Sequence, residues 1–282
     1  MNVLRIAAFS DGDAGGNPAG VVIADELPTS AEMQRIAAEV GFSETVFAAK
    51  AGVGWRVRYF SPAVEVPFCG HATIALGAAL ALRQGGGVFP LILNQAEITV
   101  EGRRSDNVIA AALQSPPTRT VPVASQLIAE ALDLSGYTHD DLDLRIAPVL
   151  AHAGADHLLL ILNSRRALSS VKYDFDAGRA LMIREGWVTV LLGYVETPQR
   201  FHTRNAFAYG GVYEDPATGA ATAALAGYLR SIGWPHAGSI EVVQGEDMGM
   251  RSLLRADIMP VLGSSIRVSG TARVMPSCTV GF

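Results

Sequence analysis

Two short segments, each led by glycine and built almost wholly from small and apolar residues, match without gaps in the two halves of the chain. Gly70-His71-Ala72-Thr73-Ile74-Ala75-Leu76-Gly77-Ala78-Ala79-Leu80 aligns with Gly219-Ala220-Ala221-Thr222-Ala223-Ala224-Leu225-Ala226-Gly227-Tyr228-Leu229, and Gly, Ala, Thr, Ala, Leu and Leu coincide. The second segment begins 149 residues after the first in a chain of 282. Upstream, Arg58-Tyr59-Phe60-Ser61-Pro62 and Arg204-Asn205-Ala206-Phe207-Ala208 extend the likeness loosely. A helix that is apolar nearly all round has to be enclosed. Each half is therefore expected to wrap one such helix in its own sheet. Each helix starts at a glycine, where bare backbone N–H groups can approach a ligand closely. With the halves related by pseudo-symmetry, both helix starts can face one cleft. Two positive dipole ends there favour a small anionic ligand such as a carboxylate.

The rest of the chain fits sheets with few, interspersed helices, an α+β pattern with mostly antiparallel pairing. The run from Met1 to Asp11 predicts a short strand, too short for a signal-peptide core. Asp11–Gly20 reads as a turn-rich loop feeding a strand at Val21–Ala24. It lacks the GxGxxG spacing and the following helix of a dinucleotide-binding turn. Thr29-Ser30-Ala31-Glu32 predicts a capping box. Met33, Ile36, Ala37 and Val40 then share one helix face, and Gly41 sits at the C-cap. Strands are expected at Phe42–Phe47, Trp55–Phe60 and in several runs between Val88 and Ala112. Gln114-Ser115-Pro116-Pro117-Thr118 interrupts any regular element, because proline neither continues a helix nor donates to a sheet. The boundary placed there gives an N-terminal half over 1–114, joined by about 272–282, and a C-terminal half over 115–271. In the latter, helices are expected from about Ser125 and around Asp176–Glu185. Strands are expected near His157–Leu162, Trp187–Val195, Ile240–Val243, Arg251–Ala256, Ser264–Val268 and Ala272–Met275.

Composition narrows the function. The net charge is −5 with 49% apolar residues, which excludes a disordered chain and a general nucleic-acid binder. Two cysteines, Cys69 and Cys278, cannot build a disulfide scaffold or a four-cysteine zinc site. The longest uncharged apolar stretch, Val66–Leu82, includes a proline and a histidine and is shorter than the roughly 20 residues of a membrane span. A cytoplasmic location is expected, with no nucleic-acid or membrane partner.

Three residues stand out as candidates for chemistry. Strand alternation would put Phe42, Glu44 and Val46 on one face. A carboxylate desolvated between two apolar neighbours has its pKa raised toward the range useful for proton transfer. On an exposed face Glu44 would merely be solvated. His71, at the start of a buried-looking helix, could bind a carboxylate or pass a proton, or could be a structural histidine bonded to backbone. Asp215, before Pro216, could be a turn or cap residue or a site residue beside the second glycine-led helix. His139, His152, His157, His202 and His236 show no metal-ligand spacing. No metal and no cofactor is expected.

Asn17-Pro18-Ala19-Gly20, Glu44-Thr45-Val46-Phe47, Phe68-Cys69-Gly70-His71-Ala72-Thr73 and Glu214-Asp215-Pro216-Ala217-Thr218-Gly219 occur in this order, with Gln244-Gly245 later. Together they closely resemble the PhzF-like phenazine-biosynthesis isomerase family, related in fold to diaminopimelate epimerase. The resemblance spans essentially the whole chain. It implies two pseudo-symmetric domains, each a curved, mostly antiparallel sheet around a central helix, with the active site between them. It also implies a cofactor-independent isomerase, usually a homodimer, that moves a proton on a small carboxylated substrate. The family's glutamate falls on Glu44, its Gly-His on Gly70 and His71, and its Glu-Asp-Pro on Asp215. Two departures bear on the substrate: Ala220 stands where a serine is common, and Gly249-Met250-Arg251-Ser252 replaces Gly-Arg-Pro-Ser.

On this reading Glu44 is the general acid/base. His71 and Asp215 orient the substrate or assist the proton. Asn17 and the backbone at Gly70, Ala72, Gly219 and Ala220 hold its anionic groups. An epimerase or racemase of a small acid is the alternative enzyme, and a silent small-acid-binding protein on the same scaffold the alternative class. Racemases of the related fold use two thiols. The repeat sets Thr218 opposite Cys69, so Cys69 is expected to be a small buried hydrophobe.

Overall fold

The computed structural model describes residues 2–106 and 108–276. Cys278 and the expected return of 277–282 to the first domain lie outside the described residues. Contacts divide the chain into two compact units: residues up to Gln114 with those from Ser269 on, and Ser115–Val268.

The first unit contains β1 (Leu4–Ala8), β2 (Asn17–Ala24), α1 (Ser30–Val40), β3 (Thr45–Ala51), β4 (Gly54–Phe60), β5 (Glu65–Val66), α2 (Gly70–Gln84), β6 (Gly87–Ile92), β7 (Glu97–Ser105) and β8 (Val108–Gln114). β1 pairs antiparallel with β2, β2 parallel with β3 and β3 antiparallel with β4. β4 pairs antiparallel with β5 and parallel with β6, and β6–β7 and β7–β8 are antiparallel. α2 lies inside these strands, against β1, β2, β3, β6, β7 and β8. Every residue from His71 to Ala81 is buried, as an all-round apolar helix requires. Two glycines allow the close approach: a Cβ on Gly102 of β7 would stand 2.3 Å from the Gly77 carbonyl oxygen.

The second unit contains β9 (Arg119–Val121), α3 (Ser125–Asp133), β10 (Val149–His152), β11 (Asp156–Leu162), α4 (Arg165–Ser170), α5 (Phe175–Glu185), β12 (Thr189–Thr197), β13 (Arg200–Ala206), β14 (Glu214–Asp215), α6 (Gly219–Ser231), β15 (Ser239–Gln244) and β16 (Ser252–Asp257). Its pairings repeat the same order and senses. β10–β11 is antiparallel, β11–β12 parallel and β12–β13 antiparallel. β13 pairs antiparallel with β14 and parallel with β15, and β15–β16 is antiparallel. α6 is buried from Ala221 to Arg230 against β9, β10, β11, β15 and β16. A last strand, β17 (Arg267–Val274), pairs through Ala272–Val274 with β1.

An ion pair recurs with the strands. Arg58 of β4 grips Glu65 of β5 at 2.6 and 2.7 Å, and Arg204 of β13 grips Glu214 of β14 at 2.6 and 3.1 Å. Such bidentate pairs fix geometry as well as charge.

Several expectations change. The strand expected over Phe42–Phe47 begins only at Thr45, leaving Phe42 and Glu44 before it. The loop expected up to Gly20 ends sooner: Asn17–Ala19 already pair with Ala8–Ile6. The two strands expected at Ser264–Val268 and Ala272–Met275 are one, β17, running through Gly270. At α1, Thr29 accepts the Glu32 N–H and Gly41 takes the left-handed conformation at φ 72°.

Across β11, β12 and β13 runs a buried polar chain. His157 Nδ1 lies 2.7 Å from Thr189 Oγ1, whose hydroxyl donates at 3.0 Å to Asn205 Oδ1. The direction of the second bond makes His157 the donor in the first. His157 Nε2 is buried with no partner among the described residues, so a proton there would be unsolvated. Burial pushes this imidazole down to about 4. The unfolded chain takes up the proton near pH 6.5 and the folded chain resists until about 4. Stability from His157 is therefore complete above that window and lost as pH falls through it, by up to about 1.4 kcal/mol per pH unit. Urea midpoints measured between pH 7 and 5 should fall more steeply for the wild type than for His157→Gln. Equal slopes would show that His157 carries no such penalty.

Candidate active site

The first glycine-led helix begins without a side-chain cap. Cys69 is the N-cap, and its side chain makes no cap bond into the first turn. The first intrahelical bond is Thr73 N–H to the Cys69 carbonyl at 3.0 Å. The amides of Gly70, His71 and Ala72 therefore precede the helical ladder, which leaves such groups to ligands, water or other protein atoms. The turn is held from behind. The Thr73 hydroxyl donates to the Cys69 carbonyl at 2.7 Å, and so must accept from the Tyr59 hydroxyl, also at 2.7 Å. Burial pushes the Tyr59 phenol up, which keeps it the proton donor this chain needs.

Beside this helix start the structure gathers Glu44, Cys69 and His71. His71 Nε2 lies 3.3 Å from Glu44 Oε2 and 3.4 Å from Ser43 Oγ. His71 Nδ1 lies 3.4 Å from Cys69 Sγ. The His71 side chain is 7% exposed and that of Glu44 16%, so the carboxylate is neither sealed in the core nor free in water. Its backbone is fixed too, because the Glu44 carbonyl accepts the Gly20 N–H at 3.1 Å. Glu44 owes its half-burial to this turn before β3 and to the neighbouring helix start, where alternation along a strand was expected. Ala72 is fully buried and Asn17 is 2% exposed at the head of β2. A Cβ on Gly70 would meet no heavy atom within 4 Å, so there is open space at the helix start.

Cys69 is buried, as expected, but it is not simply an apolar filler, because its sulfur is in polar contact with His71. The expectation of no metal-ligand cluster also needs correction. Glu44, Cys69 and His71 can each present a donor atom within 4.8 Å of the others. The pattern Cys-x-His was visible in the sequence; the third donor arrives from a distant segment. Elsewhere, His152 pairs with Asp156 and His202 with Glu196.

The second unit gathers Asp215, Gly219 and Ala220 in the equivalent place. Thr218 is the N-cap of α6, again without a cap bond into the helix. Its hydroxyl instead donates to Asp215 Oδ2 in a short bond. Gln244 completes the arrangement: its Oε1 accepts the Thr218 N–H at 3.1 Å, and its Nε2 reaches the Asp215 carbonyl at 2.7 Å and Thr218 Oγ1 at 3.0 Å. Gly245 follows at φ 71°, where a Cβ would stand 2.7 Å from the Pro216 carbonyl oxygen. The late Gln-Gly element is thus a clamp on the Asp215 turn.

A family model for phenazine biosynthesis-like proteins, PhzC-PhzF, matches residues 6–277. The chain belongs to that family. It is 33% identical over 263 residues to the trans-2,3-dihydro-3-hydroxyanthranilate isomerase of Pseudomonas fluorescens, covering 90% of this chain and 89% of that one. It is 27% identical over 281 residues to an uncharacterised isomerase of Bacillus subtilis (strain 168), covering 96% and 95%. A PhzF-family crystal structure from Bacillus anthracis superposes with a TM-score of 0.86 at 23% identity, over 98% of both chains. A probable proline racemase from Agrobacterium radiobacter K84 does so at 0.65 and 11%, over 99% and 93%. These place the α+β fold with the PhzF and proline racemase structures. The membership and the named relatives make this PhzF-family chain an isomerase. No helix among its described residues is long and apolar enough to cross a membrane.

The Gln244 clamp has a measurable weight. The side chain is fully buried, and its removal in Gln244→Ala leaves an amide, a hydroxyl and a carbonyl short of partners. Each unsatisfied buried group costs about 1–3 kcal/mol, so a loss of about 2–5 kcal/mol in unfolding free energy is expected. Denaturant unfolding of Gln244→Ala measures it, and a loss below about 1 kcal/mol would mean that water replaces the clamp.

Proposed function

We propose that this isomerase moves a proton on a small carboxylated substrate without a cofactor, with Glu44 as the group that carries it. The observation behind this reading is the half-buried Glu44 carboxylate 3.3 Å from His71, beside the start of α2, where the N-cap Cys69 makes no side-chain cap bond. General acid/base catalysis needs a group that can reach substrate and is held in one orientation. Glu44 has the opening, and its backbone anchor to Gly20 and the His71 contact provide the hold. With Nε2–H toward Glu44, His71 accepts at Nδ1 from the Cys69 thiol, and Cys69 then fixes the tautomer.

The helix starts supply what the substrate's anionic group needs. Backbone N–H groups at Gly70 and Ala72 in the first unit precede the helical ladder at a positive dipole end, and those at Gly219 and Ala220 do so in the second. The same donors favour negative charge that develops as a carbon-bound proton leaves. Asp215, held by Thr218 and Gln244, orients substrate polar groups, and Asn17 does so from the head of β2. A ring carboxylate of the kind named for the Pseudomonas fluorescens relative fits this set.

The racemase alternative asks for a second thiol. At the place equivalent to Cys69 this chain has Thr218, whose hydroxyl is already given to Asp215. That favours one-carboxylate chemistry.

The direct test is isotopic. Chelator-treated protein is incubated in deuterium oxide with trans-2,3-dihydro-3-hydroxyanthranilate and a panel of other small ring carboxylates. The turned-over compound should carry one carbon-bound deuterium, read by mass spectrometry, at the rate of untreated protein. Turnover without label, or activity that disappears with the chelator, would overturn the reading.

A further inference from the structure

We propose that Glu44, Cys69 and His71 form a binding site for one thiophilic divalent cation, of the Zn2+ or Cd2+ class, and that the cation inhibits the enzyme by occupying it. The inhibition, though not the binding, rests on the function proposed above.

The donor set is the first argument. A thiol, an imidazole and a carboxylate make a borderline-soft site, matching zinc and cadmium and ill suited to magnesium or calcium, which take oxygen ligands. Geometry is the second. Zinc holds sulfur at about 2.3 Å and nitrogen or oxygen at about 2.0–2.2 Å, so donors at three tetrahedral corners stand about 3.3–3.7 Å apart. Here His71 Nε2 stands 3.3 Å from Glu44 Oε2 and 3.9 Å from Cys69 Sγ, and all three donor atoms fall within 4.8 Å of one another. The nitrogen–carboxylate spacing already matches, and the sulfur, which now lies nearer Nδ1 at 3.4 Å, joins the set by rotating to another Cys69 side-chain rotamer. The fourth corner stays open to water or a substrate atom, as in zinc sites with three protein ligands.

Charge is the third argument. A cation alone beside a helix N-terminus is disfavoured by the dipole. The ligand, however, is a thiolate at the N-cap, a form that a helix N-terminus stabilises. Thiolate and carboxylate together cancel the divalent charge, so the positive helix end meets a neutral centre. The supporting structure is already rigid. Cys69 is fixed through its carbonyl by Thr73 and Tyr59, and Glu44 through Gly20. Only side-chain rotation remains to be ordered on binding. With Glu44 and His71 ligated to a metal, neither can move or steer a substrate proton.

The test uses the full chain, stripped with chelator and kept reduced. Cd2+ alone is titrated in while the ultraviolet thiolate-to-cadmium absorption is followed. One equivalent should saturate the band. Cys69→Ser should abolish it, and His71→Gln and Glu44→Gln should each weaken binding at least tenfold, the scale on which metal sites respond to loss of even outlying partners. Cys278→Ser, which removes the other thiol, should change nothing. Circular dichroism of each variant checks that it is folded. The proposal is overturned by no band at one equivalent, by a band that follows Cys278 rather than Cys69, or by unchanged affinity in the His71 and Glu44 variants. Zn2+ should stop deuterium incorporation, and chelator should restore it. Cys69-dependent binding with undiminished turnover would leave the cation site standing and would contradict the proton-transfer role of Glu44 instead.

Discussion

The burial of α2 on every side is the constraint on which the first unit depends. A helix that no face exposes must be surrounded by strands at close range, and the glycine pair Gly77–Gly102 is what lets β7 come near enough. Enclosure also concentrates chemistry at the helix start. The N-terminal amides of such a helix have no intrahelical partners, and here the N-cap Cys69 makes no side-chain cap bond to them. The residues that close round this end, Glu44, Ser43, Cys69 and His71, are therefore both its neighbours and the candidate site. The second unit meets the same constraint with α6 and resolves it with different side chains: Asp215, Thr218 and Gln244 stand where the first unit has Cys69 and its partners.

The two Arg–Glu pairs show how the repeat is retained in physical terms. Arg58–Glu65 and Arg204–Glu214 occupy matching strands, and each ties the short strand just before its glycine-led helix to the long strand beside it. The Arg204 pair is the more buried, with side chains 10% and 6% exposed. Breaking a pair of that kind leaves a buried charge without a partner, a larger penalty than the pair's own contribution. These contacts fix the turns that present the site residues, which explains why likeness survives there when most of the sequence has diverged.

The helix and strand types were legible because their signals are local. α1 carries its cap residues and apolar face in consecutive positions, and the Ala-rich segments announce enclosed helices by composition alone. The family, too, was legible from four short motifs in order. What was not legible depended on partners far along the chain. Pro18 marks a loop by propensity, yet Asn17–Ala19 form strand because Ile6–Ala8 bond them. Glu44 has strand-like neighbours, yet the strand starts one residue later and the carboxylate is placed by a turn. Cys69 and His71 are close in sequence, but nothing local says that Glu44 joins them. Gln244 was recognisable only as part of a motif. Its task as a clamp on Asp215 and Thr218 exists only once β15 runs past the start of α6.

The central claim is that the Glu44 carboxylate carries the proton and His71 holds it in place. The most direct measurement is the rate at which the substrate's carbon-bound hydrogen exchanges with deuterium oxide, followed by proton NMR, in wild type and Glu44→Gln at saturating substrate. Gln keeps the shape of Glu44 and loses the charge and the ability to take a proton. The account predicts an exchange rate lower by at least about 100-fold, with substrate affinity changed little. Exchange at the wild-type rate in Glu44→Gln would contradict it.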